Sequence, residues 1–238
     1  MRRAGLFCAA VVLALVGAGC SSSSTPATPG FAHAGPYAVG VTTLDLGSAG
    51  RFGERLATVF YPADAAKVAG HPLFSYDLEA PLPPALRAIV PANYDSTTVV
   101  DAHVGAPGSP GGPFPIVLFS HGFGASRLYY SHLLVGIASW GFVVVSADYL
   151  ERGLLAEATN ATAADTPAVD LHTMFSSLSA TEAASASASS PLHGLADAGK
   201  VAAVGHSAGG QTAFDALRDP RVDVAVGWEP VGPSGVPA

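Results

Sequence analysis

Four short runs of apolar residues alternate with helix-forming segments in the second half of the chain, and this alternation constrains the fold more than any other sequence feature. The runs lie at residues 116–120, 142–147, 201–205 and 222–228. Each is apolar at successive positions, as a strand buried on both faces of a sheet requires. Helical patterns separate them at residues 128–139, 169–178 and 208–217. This order predicts an α/β fold, with a mostly parallel sheet, right-handed crossovers and helices on both faces.

The first half of the chain carries weaker signals. Residues 37–46 alternate loosely and residues 56–61 are rich in strand formers, so we expect an antiparallel hairpin at an edge of the sheet. The proline-rich stretch 63–113 has no clear period and predicts a long connection with one short helix near residues 84–89. Residues 176–195 are small and polar, which predicts a mobile surface excursion.

The sequence GHSAG at residues 205–209 matches the G-x-S-x-G pattern, in which a serine occupies a sharp turn between a strand and a helix. A buried-strand pattern precedes the motif and a helical pattern follows it, which is the context that the motif needs. Glycines relieve the crowding at such a turn because they have no Cβ. The start of the following helix stabilises negative charge that develops beside the serine. We therefore predict that Ser207 is a nucleophile.

A second glycine-rich turn, SHGFG at residues 120–124, follows the first buried run. It falls at the carboxyl edge of the predicted sheet, where ligands of such sheets bind. Acyl transfer develops a negatively charged oxygen, and two fixed backbone N–H groups that point at this oxygen stabilise the transition state. We assign these oxyanion donors to the amides of Phe123 and Ala208. His121 precedes the turn, and we expect it to be structural rather than a catalytic base.

These two motifs, together with GPYAVG at residues 35–40, VFYPA at 59–63 and residues 141–148, resemble the α/β-hydrolase superfamily over most of the chain. The resemblance is greatest to the branch that holds platelet-activating-factor acetylhydrolases, dienelactone-hydrolase-like proteins and bacterial polyester-degrading cutinases, with chlorophyllase-like proteins as near alternatives. It implies a serine esterase that works through an acyl-enzyme on Ser207 and needs no cofactor. It also implies a triad in the chain order serine, acid, histidine.

The acid and the base are the open part of this predicted triad. Glu229 follows Ser207 by 22 residues, close to where acetylhydrolases carry their aspartate, and is the candidate acid. A surface role for Glu229, with the acid one strand later as in cutinases, is the alternative. None of the eight histidines follows Glu229. We therefore expect the base and the last strands of the fold to lie beyond residue 238, which would leave the domain 35–238 incomplete and inactive alone.

The first 19 residues predict a signal peptide. Arg2 and Arg3 form a basic start, the apolar run over residues 6–16 is short for a membrane span, and small residues precede Cys20. The pattern resembles a bacterial lipoprotein signal, in which Cys20 is lipidated and begins the mature chain. Ordinary secretion and an uncleaved anchor are the alternatives. Residues 20–34 then predict a Ser/Thr/Pro tether that holds the domain at the outer face of the cell membrane.

Composition limits the remaining function classes. Only 12% of the residues are charged and the formal net charge is −7, so the chain has no attraction for the phosphates of nucleic acids. Cys8 and Cys20 are the only cysteines, which excludes a disulfide, a cysteine nucleophile and a cysteine-based zinc site from the mature domain. The histidines show no metal-ligand spacing, and we expect no metal.

Taken together, the sequence predicts an exported carboxylic-ester hydrolase. Its expected partners are small-molecule or lipid esters, with short-chain acyl esters, phospholipid acyl groups and polyesters all compatible. The only membrane contact that we expect is the lipid anchor. A non-catalytic surface lipoprotein with this fold is the first alternative, supported by the missing histidine. An acyltransferase that passes the acyl group to an alcohol is the second.

Overall fold

The structure, a computed structural model, describes residues 33–89, 96–161 and 166–230, and these form eight strands and five α-helices. The strands are β1 (Ala38–Ser48), β2 (Glu54–Ala63), β3 (Leu73–Asp77), β4 (Thr97–Val104), β5 (Phe114–Ser120), β6 (Val143–Ala147), β7 (Ala196–His206) and β8 (Val224–Trp228). The helices are α1 (Pro84–Arg87), α2 (Ser131–Ser139), α3 (Leu154–Ala158), α4 (Thr166–Ala186) and α5 (Ala208–Ala216). Short 3-10 turns lie at Gly50–Phe52 and Leu150–Arg152.

All eight strands join one sheet in the order β3-β4-β1-β2-β6-β5-β7-β8. Strands β6, β5, β7 and β8 are parallel to their neighbours within this group, and β2 pairs antiparallel with both β1 and β6. The predicted α/β fold with a mostly parallel sheet is therefore confirmed, and so is the antiparallel hairpin of β1 and β2.

The position predicted for this hairpin was wrong. It does not form an edge, because β4 pairs with β1 and β3 lies outside β4. Both outer strands come from the stretch 63–113, which was expected to hold no strand. In β4 the side chains alternate, with Val100 and Ala102 buried between exposed neighbours. That period of two is the signature of a strand with one face on the core.

Strands β5 and β6 are buried on both faces, as their continuous apolar runs require. Strand β8, the last in the sheet order, holds no buried residue and its Val224 is 53% exposed, so the prediction of a buried strand there was wrong. On one face Ile116 and Leu118 of β5 pack with Met174 and Leu178 of α4. Helix α5 contributes to this same cluster. On the other face Val117 and Phe119 join the cluster that contains residues of α2. Helices therefore cover both faces of the sheet, as predicted.

Helix α4 is longer than the sequence pattern indicates, and the surface excursion predicted for residues 176–195 was wrong. The helix continues to Ala186, and Leu192 and Leu195 beyond it are buried in the core. Two of its buried hydroxyls bond within the helix: Ser177 donates to the Met174 carbonyl at 2.7 Å and Thr181 to the Ser177 carbonyl at 2.8 Å. Small side chains that bond within the helix can be buried against the sheet without an apolar stripe.

Several predictions concern residues outside the described ranges: the signal peptide, Cys20 and nearly all of the tether. Within residues 33–89, 96–161 and 166–230, no helix is both long enough and apolar enough to cross a bilayer.

Candidate active site

Ser207 occupies a strained turn between β7 and α5. Its backbone has φ 54° and ψ −120°, a conformation that residues with a Cβ rarely adopt. The turn is fixed from the side by β8, because the Ser207 N–H donates to the carbonyl of Trp228 at 2.9 Å. The side chain is only partly buried. The serine therefore lies at the carboxyl edge of the sheet, accessible and held in a costly conformation.

Two glycines of the GHSAG motif make this turn possible. A Cβ added to Gly209 would lie 2.0 Å from the carbonyl oxygen of Ser120, and one added to Gly205 would lie 2.1 Å from the carbonyl oxygen of Gly209. Both contacts are with backbone atoms, which cannot move aside. The glycines thus let α5 approach β5 and β7 closely, in agreement with the relief of crowding that the sequence analysis expected at this turn.

The SHGFG turn lies directly against the serine. A Cβ added to Gly122 would lie 3.4 Å from the Ser207 Cβ, so the two loops are in contact. The turn is closed by hydrogen bonds from the Gly124 amide to the Arg152 carbonyl at 2.9 Å and from the Ala125 amide to the Gly122 carbonyl at 3.3 Å. Among the backbone hydrogen bonds of turns and loops in the described part of the chain, none is donated by the amide of Phe123 or of Ala208. Their role as oxyanion donors stays a prediction.

His121 supports this turn from below. It is completely buried, its Nδ1 donates to the Gly122 carbonyl at 2.8 Å, and its Nε2 accepts from the Tyr149 amide at 3.2 Å. This arrangement requires a neutral ring. Burial, with the nearby Arg152 guanidinium as a second cause, lowers the pKa of His121 to about 3. His121 is therefore a structural residue, as the sequence analysis expected.

The neutral His121 makes the stability of the fold depend on pH. The pKa of a histidine in an unfolded chain is about 6.5. Below that pH the unfolded chain binds a proton that the folded protein excludes, so stability falls as pH decreases through the window from 6.5 towards 3. We expect a loss of about 1.4 kcal/mol per pH unit within this window from this group alone. Urea unfolding at several pH values should show a steeper acid slope for the wild type than for His121→Gln, and equal slopes would contradict the assignment.

An ion pair between Arg152 and Asp170 lies beneath the same turn, and the sequence analysis missed it. Arg152 is 2% exposed and its Nε donates to Asp170 Oδ2 at 2.7 Å. The same guanidinium donates to Ser120 Oγ at 2.8 Å and to the His121 carbonyl. Asp170 also accepts from Thr212 Oγ1 at 3.2 Å. The pair thus joins the end of β5 to α4 and α5.

Burial raises the pKa of Asp170, although the adjacent Arg152 acts in the opposite direction. The guanidinium also lies over the Tyr149 ring, at 4.6 Å from its centroid. Nothing in the local sequence marks either residue, because Arg152 comes from the 3-10 turn after β6 and Asp170 from near the start of α4.

A tyrosine bridges the two loops of the site and was also missed. The Tyr130 hydroxyl lies 2.7 Å from Nδ1 of His206, the residue that precedes Ser207. The Gly122 N–H also hydrogen-bonds to this hydroxyl. Burial raises the pKa of Tyr130, and the hydrogen bond from Gly122 lowers it by a smaller amount. A Cβ added to Gly122 would lie 3.1 Å from His206 Nδ1. His206 is therefore engaged with the SHGFG turn and is not directed at Ser207.

The structure places Glu229 directly after β8, where the sequence put it, with an exposed side chain and φ 46°. The carbonyl of the preceding Trp228 holds the Ser207 amide, so Glu229 lies at the same edge of the sheet as the serine. Within the described residues no histidine hydrogen-bonds to Ser207. The assignments of Ser207, Glu229, Phe123 and Ala208 remain predictions about chemistry.

Two other carboxylates near the edge have structural partners. Arg127 pairs with Asp148 and also donates to Thr58 Oγ1 at 3.1 Å. Arg55 pairs with Glu151 at 2.6 Å. Over residues 33–89, 96–161 and 166–230, no group of three or more histidine, cysteine or acidic residues is arranged to hold a metal ion.

A serine on a strained strand–helix turn, next to a glycine-rich turn, defines an α/β hydrolase on this sheet. The chain belongs to the chlorophyllase family, whose family model matches residues 90–227, more than half of the sequence. The superfamily resemblance is therefore confirmed, and the matching family is the one that the sequence analysis gave as a near alternative.

The fold is similar to that of a ferulic acid esterase from Streptomyces cinnamoneus, with a TM-score of 0.57 and 24% sequence identity. The similarity covers 84% of this chain and 59% of the esterase. The chain thus spans about three fifths of the length of that structure.

Proposed function

We propose that this protein hydrolyses carboxylic esters through an acyl-enzyme on Ser207. The observation that carries the proposal is the strained Ser207 backbone beside the amides of Phe123 and Ala208. Strain of this kind costs about 1–3 kcal/mol and persists at sites where it serves a function. The chlorophyllase family and the name of the similar structure, a ferulic acid esterase, both favour ester chemistry.

In this proposal Ser207 Oγ attacks the ester carbonyl carbon and gives its proton to a base. The carbonyl oxygen becomes negatively charged and accepts hydrogen bonds from the Phe123 and Ala208 amides. The C–O bond to the alcohol then breaks, and the alcohol leaves with the proton from the base. Water attacks the acyl-enzyme by the same route and releases the acid and free Ser207.

The base in this scheme is a histidine that the superfamily resemblance implies and that the described residues do not supply. His121 is excluded because it is buried with both ring nitrogens engaged. His206 is excluded because it is turned towards Tyr130. Glu229 is the proposed acid that orients the base, supported by its position after β8. This order matches the chain order serine, acid, histidine.

The test is turnover of p-nitrophenyl acetate by the full-length protein. We expect release of p-nitrophenol in a burst followed by a steady rate, because acylation and deacylation are separate steps. Adding methanol as a second acceptor distinguishes hydrolysis from acyl transfer: methyl acetate as the main product would favour the acyltransferase alternative. No turnover of any ester would favour the non-catalytic lipoprotein.

We further propose that the protein is exported and lipid-anchored through Cys20. The support is the signal-like sequence of residues 1–19 and the polar tether that follows. The expected mature protein begins at Cys20 and partitions into the detergent phase. Cys20→Ala should block this processing, and unchanged release of soluble protein from that variant would favour ordinary secretion.

Tyr130 is a positioning residue in this account, because it joins the SHGFG turn to the GHSAG turn. Tyr130→Phe removes the hydroxyl at His206 Nδ1 and lets the two turns shift relative to each other. We expect kcat to fall by about 10- to 100-fold, since small misplacements at a reacting centre have effects of that size. The KM should change little, because the hydroxyl does not face the substrate.

Tyr76→Phe is the matched control, since Tyr76 lies in β3, at the opposite side of the sheet from Ser207. It should keep the wild-type kcat. A parallel fall in kcat and in the free energy of unfolding for Tyr130→Phe, or a change confined to KM, would show that Tyr130 does not position the turn.

A further inference from the structure

A cavity of about 280 Å³ opens at the same edge of the sheet as Ser207. Most of its wall is hydrocarbon, and the apolar side chains that line it include Leu56, Ala80, Pro81, Leu150, Leu154 and Leu155. They come from β2, from the segment after β3 and from the loop and short helix after β6. Parts of the chain that are far apart in sequence thus converge on one apolar space.

The charged and imidazole side chains of this wall are paired, hydrogen-bonded or exposed to solvent. Arg127 and Asp148 form an ion pair, so their charges largely cancel. His121 is neutral and both of its nitrogens are hydrogen-bonded. Glu54 is exposed and reaches solvent at the rim. The cavity therefore offers apolar contact rather than a charge, and the ligand that fits it is a hydrocarbon chain or ring.

The SHGFG turn lies between this cavity and Ser207. Gly122 contacts Ser207 on one side, while His121 and Ala125, in and just after the same turn, line the cavity on the other. The strands run β7-β5-β6-β2 across the edge, and Ser207 follows β7. Since neighbouring strands lie about 4.8 Å apart, the cavity beside β6 is about 10 Å from the serine. Phe123, 51% exposed, adds apolar surface on the turn itself.

We propose that this cavity is a subsite for the hydrocarbon part of the ester substrate. The inference rests on the proposed function, because Ser207 supplies the reaction. An apolar cavity of about 150 Å³ holds one benzene ring, so a space of this size takes a substituted ring or a short alkyl chain. It is smaller than the sites of about 300–1,000 Å³ that enclose whole small ligands. The rest of the substrate therefore lies outside it, at the serine.

The experiment compares kcat/KM for p-nitrophenyl acetate, butyrate, hexanoate and octanoate on the full-length protein. Each methylene that enters the cavity should raise kcat/KM by about threefold to fourfold until the space is full. A parallel series of acetate esters with longer alkyl alcohols shows which side of the ester enters. A rise in either series supports the subsite, and its absence in both overturns the proposal.

Two variants test the cavity itself. Ala80→Phe narrows it at an exposed rim position, and we expect hexanoate or the corresponding alcohol ester to lose about tenfold in kcat/KM while acetate changes less than about twofold. Leu154→Ala widens it and should move the best chain length upward. Ala88→Phe, an exposed change outside the cavity, is the matched control and should leave the series unchanged. Equal losses on acetate and hexanoate in Ala80→Phe would overturn the proposal.

A binding measurement separates this inference from the proposed function. Saturation-transfer NMR with 1-octanol on the Ser207→Ala variant reports occupancy without turnover. Octanol should bind to this variant, and the added change Ala80→Phe should remove the binding. If octanol binds in this way but the wild type hydrolyses no ester, the cavity is a hydrocarbon site and the esterase proposal is overturned. If the wild type hydrolyses esters with no dependence on chain length and octanol does not bind, the esterase proposal stands and the subsite proposal is overturned.

Discussion

Replacing Ser207 with alanine is expected to reduce ester turnover by the full-length protein to the background rate, a loss on the order of 10⁵- to 10⁶-fold. The size follows from the role of the group, because Ser207 Oγ forms the covalent bond to the acyl carbon and no other atom replaces it. The oxyanion donors on Phe123 and Ala208 would still bind the ester, so KM should change much less than kcat. Steady-state kinetics with p-nitrophenyl acetate gives both values.

Ser189→Ala is the matched control for this prediction. Ser189 is exposed and hydrogen-bonds to Ser187 in the turn after α4, away from the site, so its loss should leave kcat and KM unchanged. Turnover by Ser207→Ala within about tenfold of the wild type would mean that another residue is the nucleophile, since removing a covalent nucleophile has far larger effects.

The second large effect concerns stability. Asp170→Ala is expected to lower the free energy of unfolding by about 3–5 kcal/mol, because it leaves the Arg152 guanidinium buried without its counter-charge. The loss is concentrated at the active site, since Arg152 also binds Ser120 Oγ and the His121 carbonyl. Urea unfolding followed by fluorescence at pH 7 measures it.

The double variant Arg152→Met/Asp170→Leu separates charge from packing. Apolar side chains of similar volume remove both buried charges at once, and such exchanges are often neutral or stabilising. We expect the double variant to be more stable than either single variant, Arg152→Met or Asp170→Leu. A loss below about 1 kcal/mol for Asp170→Ala would show that the pair adds nothing beyond an exposed ion pair.

Features that depend on nearby residues could be predicted from the sequence. The continuous apolar runs of β5 and β6 indicate strands buried on both faces, and the glycines around Ser207 indicate a turn that admits no Cβ. Both inferences use only local sterics and period, so the parallel sheet and the strand–helix turn could be placed before the structure was known. The contact between Gly122 and Ser207 then follows from the order of the parallel strands.

Features that depend on distant partners could not be predicted in this way. Asp170 binds Arg152, which in turn binds Ser120 of β5, and no spacing in the sequence encodes either contact. Tyr130 and His206 are 76 positions apart. The buried C-terminal part of α4 was missed because its inward face is serine and threonine, whose hydroxyls bond within the helix.

One error had a signal that could have been used. The segment Thr97–Val104 alternates buried and exposed positions, which is the pattern of a strand with one face on the core. The prolines elsewhere in the stretch 63–113 concealed this alternation, because they indicated a long connection without strands. The hairpin was then placed at the edge because no outer strand had been assigned.

The most direct test of the central claim is covalent labelling of the full-length protein with a fluorophosphonate, followed by peptide mapping. An accessible serine beside two oxyanion donors should be phosphonylated rapidly, because the adduct places its oxygen where those amides point. We predict one adduct, on the peptide that contains Ser207, and none after urea unfolding. A stable adduct on a different serine, or an unlabelled Ser207 in a folded protein that hydrolyses esters, would contradict the account.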